Sequence, residues 1–209
     1  MASMTGGLPK GHPIIEWAWA GSALESLSGD LHVIVPYAGG ALVALIDGLG
    51  HGEEAAEAAA AAVPVLEAQA DAPVLALMEQ CHEALRRTRG AAMSLASFNG
   101  LDASMTWTGV GNVEGVLLRI SAPSHRASEA ITCRGGVVGY RLPPLHANTT
   151  AVAPGDLLIL ATDGIRSGFT EEVSLGHSVQ DIADAILARF AKGSDDAHVV
   201  VVRYLGGEP

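Results

Sequence analysis

Leu157-Leu158-Ile159-Leu160-Ala161-Thr162-Asp163-Gly164 and Ala41-Leu42-Val43-Ala44-Leu45-Ile46-Asp47-Gly48 have the same form. Each is an unbroken apolar run that stops at an aspartate followed by glycine. Such runs, bounded by turn residues, read as strands buried on both faces. A third acidic site, Asp195-Asp196, lies just before another apolar run, Ala197 to Leu205. Strands of one sheet place their ends near one another, so the three sites can converge. Carboxylates that converge without a counter-charge repel, and their pKa values rise. Hard divalent cations remove that penalty, and oxygen ligands select Mg²⁺ or Mn²⁺. Two ions bridged by one carboxylate can hold and activate a water for in-line attack on phosphorus. The plainer alternative is that the Asp-Gly pairs are hairpin turns and that Asp195 merely flanks a strand.

Working outward, Ile14 to Ala20 and Leu31 to Pro36 also read as strands, and with Ala41 to Ile46 they suggest an antiparallel meander turning at Tyr37 to Gly40. Glu53 to about Ala70 has helix composition, with acidic residues in its first turn and an expected break or kink at Pro64. A second helix is expected from Asp71, as N-cap, and Pro73 to about Thr88. Strand-like runs follow at Ala91 to Phe98, Ala103 to Gly109, Gly115 to Ile120 and Ala130 to Cys133, with Asn99-Gly100 as a hairpin turn. Val179 to Phe190 reads as an amphipathic helix before the closing strand. Segregated strands and helices of this kind predict an α+β sandwich rather than a βαβ repeat.

The bulk numbers exclude several classes. The chain has 209 residues, enough for one domain from residue 11 to 209 after a leader over residues 1–10 that looks partly vector-derived. Net charge is -11, and Lys and Arg form no run denser than Arg86, Arg87 and Arg89, so a nucleic-acid partner is disfavoured. Cys81 and Cys133 form no CxxC, which fits a reducing cytoplasm better than a disulfide framework. The alanine-rich stretch Ala55 to Val65 is too short to span a membrane.

Four elements in order carry a resemblance. They are Ser28-Gly29-Asp30, then Asp47-Gly48-Leu49-Gly50-His51-Gly52, then Pro154 to Gly164, then Asp195-Asp196 before Val199-Val200-Val201-Val202-Arg203. Together they resemble the signature of PPM (type 2C) serine/threonine phosphatases, in the SpoIIE/RsbU/RsbX branch. The resemblance implies an αββα sandwich of two mostly antiparallel sheets flanked by helices. It implies two Mn²⁺ or Mg²⁺ ions held by Asp47, the Gly48 carbonyl, Asp163 and Asp195, with Asp30 acting through water. It implies direct attack of water on phosphoserine or phosphothreonine, with no phosphoenzyme. The length of the chain makes it most similar to the stressosome phosphatases of that branch, whose substrates are phosphorylated STAS-domain proteins of the RsbR and RsbS kind. Alternatives are an RsbU- or SpoIIE-like enzyme acting on an anti-anti-sigma factor, and a non-catalytic module that docks on STAS proteins.

Two positions depart from the pattern. Eukaryotic relatives carry histidine where this chain has Leu49, and His51 lies further on, as a weak proton donor or a turn and cap residue. The closing motif has His198 where threonine is expected, either a buried hydrogen-bonded strand residue or, with Asp196, a group tuning Asp195. Gly109-Val110-Gly111-Asn112 reads as a tight turn, with a minor part in lining a substrate groove. If the aspartates hold metal, Asp47→Ala and Asp163→Ala lose activity but stay folded, and gain stability in metal-free buffer as like-charge repulsion falls. Circular dichroism and a urea melt check this, and loss of the fold in both variants would make the carboxylates structural.

Overall fold

A computed structural model describes residues 13–120, 128–131, 133–171 and 173–207. The expected leader, residues 1–10, lies outside them. The strands are β1 (Ile15–Ser22), β2 (Asp30–Tyr37), β3 (Gly40–Gly48), β4 (Ala91–Asn99), β5 (Ser104–Val110), β6 (Glu114–Leu118), β7 (Ser128–Ile131), β8 (Asn148–Ala151), β9 (Leu157–Ala161) and β10 (Ala197–Tyr204). The helices are α1 (Glu53–Ala68), α2 (Val74–Ala84) and α3 (Val179–Phe190). One sheet has the order β1-β10-β9-β6-β7 and the other β2-β3-β4-β5-β8, and every pairing within them is antiparallel.

The two sheets stack face to face, with helices outside, and period-two alternation sorts each strand between the layers. In β3, Ala41, Val43 and Leu45 enter the core between the sheets, while Leu42, Ala44 and Ile46 enter the core under α1 and α2. In β10, Val200, Val202 and Tyr204 face the inter-sheet core, while Val199 and Val201 pack under α3. Burial on both faces explains why these strands are continuous apolar runs. The expected α+β sandwich is therefore the observed architecture.

Several local expectations differ from the structure. The first three strands are not a meander: β1 leaves its neighbour in sequence and pairs along its whole length with β10, from Ile15↔Tyr204 to Ser22↔Ala197. Strand β2 instead gives its whole length to β3, from Asp30↔Asp47 to Tyr37↔Gly40. Helix α1 continues through Pro64. The carbonyl that Pro64 leaves without an amide partner is that of Ala60, and both residues are exposed. Helix α2 is capped at Pro73 rather than Asp71 and ends at Ala84. Its last turn gives way to a tight turn in which Arg86 N donates to Glu83 O and Thr88 N to Leu85 O. Strand β8 was not foreseen, because Asn148-Thr149-Thr150-Ala151 lies at a sheet edge and carries no apolar pattern. The run expected from Ala130 to Cys133 is β7, shifted toward Ser128, with residue 132 outside the described set. Among the described residues, no helix is long and apolar enough to cross a membrane.

Glycine is required where the Asp-Gly turns meet the rest of the fold. A Cβ on Gly48 would overlap the Ala55 carbonyl in α1, and one on Gly164 would overlap the Asp196 carbonyl. Gly164→Ala is therefore expected to cost about 1–3 kcal/mol in a urea melt, as overpacking does. Gly176→Ala, where a Cβ meets nothing within 4 Å, should change stability little.

Candidate metal centre

The aspartates singled out in the sequence gather at one end of the sandwich, but they come from both sheets rather than one. Asp30 opens β2 and Asp47 lies directly opposite it near the end of β3. Asp163 follows β9, and Asp195 and Asp196 precede β10, in the other sheet. Asp47 has the same parity in β3 as Val43 and Leu45, which directs it toward the space between the sheets. An open groove of about 510 Å³ lies there, and Asp47, Asp163, Asp195, Leu49, His51 and Asn112 are among the residues lining it.

Asp47 is half-buried and has neither a hydrogen-bond donor nor a cation within reach among the described residues. Burial, then the charges of Asp30, Asp163, Asp195 and Asp196, push its carboxyl up to about 8. Asp30 is buried, and burial raises it to about 7. The Thr162 hydroxyl opposes that rise by donating to Asp30 Oδ2 at 2.7 Å, while Asp196, Asp163 and Asp195 add to it. Like charges directly opposite in a ladder destabilise it, so this geometry asks for a compensating cation.

The donor set suits a hard ion. It is made of carboxylate oxygens, the chemistry that selects Mg²⁺ or Mn²⁺ over softer metals. Among the described residues no three carboxylate, imidazole or thiol groups close on one point tightly enough to enclose an ion alone.

The other singled-out residues separate clearly. Asp196 is buried, and its two oxygens accept from Leu24 N and Gly29 N, both at 2.7 Å. It thereby ties the β1–β2 loop to the start of β10, while Asp195 stays at the groove. Gly29 O in turn accepts from Gly48 N at 3.0 Å, so the Ser28-Gly29-Asp30 and Asp47-Gly48 elements are held as a unit. His198 is buried, as expected of a strand residue. Its backbone N donates to Thr162 Oγ1 at 2.9 Å. The His198 ring shares a 2.9 Å hydrogen bond with His32 and stacks on Trp19 with centroids 5.0 Å apart. Burial lowers both imidazoles, His32 to about 4 and His198 to about 3, so they are neutral at pH 7. His51 is exposed and pairs with Glu25 at 2.7 Å, while Gly52 takes the helix N-cap position. Two further residues complete the site: Thr162, beneath Asp30, which the sequence did not single out, and Asn112, of the turn expected to have a minor part in lining a groove, whose Nδ2 donates to Asp163 Oδ2 at 2.6 Å. Their positions beside the Asp-Gly and Gly-x-Gly elements were the available signal.

The raised carboxyl of Asp47 fixes a sign. Its folded pKa lies above its unfolded value, so the folded state binds the proton more tightly and stability falls as pH rises from about 4 to about 8. In metal-free buffer, Asp47→Asn should melt higher than the parent at pH 8, and the gap should close near pH 4. A gap that does not depend on pH in thermal melts would contradict this.

Comparison with known proteins gives a consistent picture. The family model for stage II sporulation protein E (SpoIIE) matches residues 38–205. Phosphoserine phosphatase RsbX of Bacillus subtilis (strain 168) is 28% identical over 156 residues, which is 74% of this chain and 76% of RsbX. A solved structure described as the bacterial stressosome, a modular system adapted to control secondary messenger signalling, superposes with a TM-score of 0.81 at 26% identity, covering 90% of this chain and 99% of its own. RsbX in complex with magnesium superposes with a TM-score of 0.81 at 24% identity, covering 90% and 94%.

Proposed function

The chain belongs to the SpoIIE family of PP2C-type protein serine/threonine phosphatases, and from that premise we propose that it dephosphorylates STAS-domain proteins of a stressosome, of the RsbR and RsbS kind. The observation that carries the reading is Asp47, a half-buried carboxylate without a partner, facing a groove that Asp163 and Asp195 also line. In this reading Asp47, the Gly48 carbonyl, Asp163 and Asp195 hold two Mn²⁺ or Mg²⁺ ions, and Asp30 acts through water. When bound, the metal supplies Lewis acidity and activates water for hydrolysis of the phosphate ester.

The chain's own groups set the stage for that chemistry. Thr162 holds one oxygen of Asp30 in place, and Asp196 anchors the loop that leads into Asp30. The groove is open, with walls of Leu49, Ala92 and glycine backbone, which suits a phosphorylated segment at a protein surface better than an enclosed metabolite. Its floor is acidic, so a phosphate dianion is drawn in only with metal present. Similarity to phosphoserine phosphatase RsbX and to the stressosome structure supports the partner class. The free thiols of Cys81 and Cys133 support a cytoplasmic setting.

Purified protein is expected to release phosphate from phosphorylated RsbR- and RsbS-type STAS proteins with Mn²⁺ or Mg²⁺ and not in chelator. Asp47→Ala, Asp163→Ala and Asp195→Ala should each lower turnover by on the order of a hundredfold or more, as loss of a catalytic metal ligand does. Turnover confined to a phosphorylated anti-anti-sigma factor would favour the RsbU- or SpoIIE-like alternative. Binding to STAS proteins without release of phosphate from them or from p-nitrophenyl phosphate would favour a non-catalytic module.

A further inference from the structure

The turn between β5 and β6 carries the chain from one sheet to the other, and its backbone is closely constrained. Gly111 has φ 97°, and a Cβ there would come within 2.9 Å of the Ala92 Cα. Gly111 N donates to Arg134 O at 2.9 Å, and Arg134 N donates to Gly109 O at 3.0 Å. The next residue, Asn112, is thereby fixed at the groove beside Asp163, which follows β9, the ladder neighbour of β6. A carboxylate only accepts hydrogen bonds, so the Asn112 amide nitrogen is the group that faces it. The 2.6 Å bond from Nδ2 to Asp163 Oδ2 is the side-chain hydrogen bond that Asp163 receives among the described residues.

We propose that Asn112 is a positioning residue for the metal centre: its amide fixes the Asp163 carboxylate in the rotamer that presents the remaining oxygen to a cation. This rests on the reading of Asp163 as a metal ligand. The choice of residue follows from charge. A lysine or arginine here would neutralise Asp163 and compete with the metal. A carboxylate would add a further like charge to a cluster that already raises Asp30 and Asp47. A neutral donor on a rigid turn orients the ligand without either penalty. Groups that orient a ligand from behind typically alter metal affinity about 10- to 100-fold.

Calorimetric titration of the metal-free protein with Mn²⁺ tests this directly. Asn112→Leu keeps the size and removes the donor, and it should raise the Mn²⁺ Kd about tenfold while the metal-free Tm stays near that of the parent. Asn112→Ser, which restores a shorter donor, should recover part of the affinity. The Mn²⁺ concentration for half-maximal hydrolysis of p-nitrophenyl phosphate should rise by the same factor, with KM for that substrate at saturating Mn²⁺ unchanged. Asp163→Ala is the reference. If it binds Mn²⁺ poorly while Asn112→Leu binds like the parent, the positioning role is overturned and the ligand reading stands. If Asp163→Ala binds like the parent, the ligand reading itself fails. Should Asn112→Leu not fold, Asn112→Ala is read in the same titration against the same outcomes.

Discussion

Asp30 and Asp47 stand opposite one another across the β2–β3 ladder, two like charges in a register where packing would favour any neutral pair. Much of the surrounding structure exists to hold that unfavourable pair in place. Three apolar cores supply the stability, one between the sheets and one under each helical layer. Their shared end is where the polar cluster is tolerated. The repulsion stored there makes the fold receptive to a divalent cation, since an ion that binds relieves a strain the packing has already absorbed.

The site is also a junction between the two sheets. Asp196 reaches from the start of β10 to the amides of Leu24 and Gly29, and Gly29 passes the connection to Gly48. Thr162 links β9 to Asp30 and receives the backbone amide of His198. The Asp196–Gly29 and Thr162–Asp30 contacts cross between the sheets, so the relative placement of the acidic groups is set by hydrogen bonds and not by the apolar core alone. The side chain at position 198 serves a different end, filling the open edge of the sandwich with His32 and Trp19.

The layers and the acidic motif were legible because their signals are long and redundant. Runs such as Ala41–Ile46 and Leu157–Ala161 are buried on both faces, and their apolar continuity says so directly. The partner of β1 was not legible, since nothing in Ile15–Ser22 encodes a preference for the far strand over the near one. For the same reason the aspartates were expected at the ends of one sheet, while the structure draws them from two. Pro64 shows that a local rule yields when the orphaned carbonyl lies on an exposed face. The division between Asp195 and Asp196 depends on amides contributed by the β1–β2 loop, which no local pattern reveals. Asn112 was assigned to a turn, and its tie to Asp163 emerges only once β6 and β9 are neighbours.

The pairing of β1 with β10 joins an early strand of the chain to a late one, and it brings Asp195 to the groove in the same step. Contacts so distant in sequence close slowly, because the whole intervening loop must be ordered first. On the ribosome, the sheet of β2 to β5 can assemble while the other sheet still lacks its centre. A nascent chain would therefore hold Asp30 and Asp47 side by side before the groove that Asp163 and Asp195 line has formed. The acidic groove is then complete only when the Asp195-Asp196 segment and β10 dock, the last step the chain order allows.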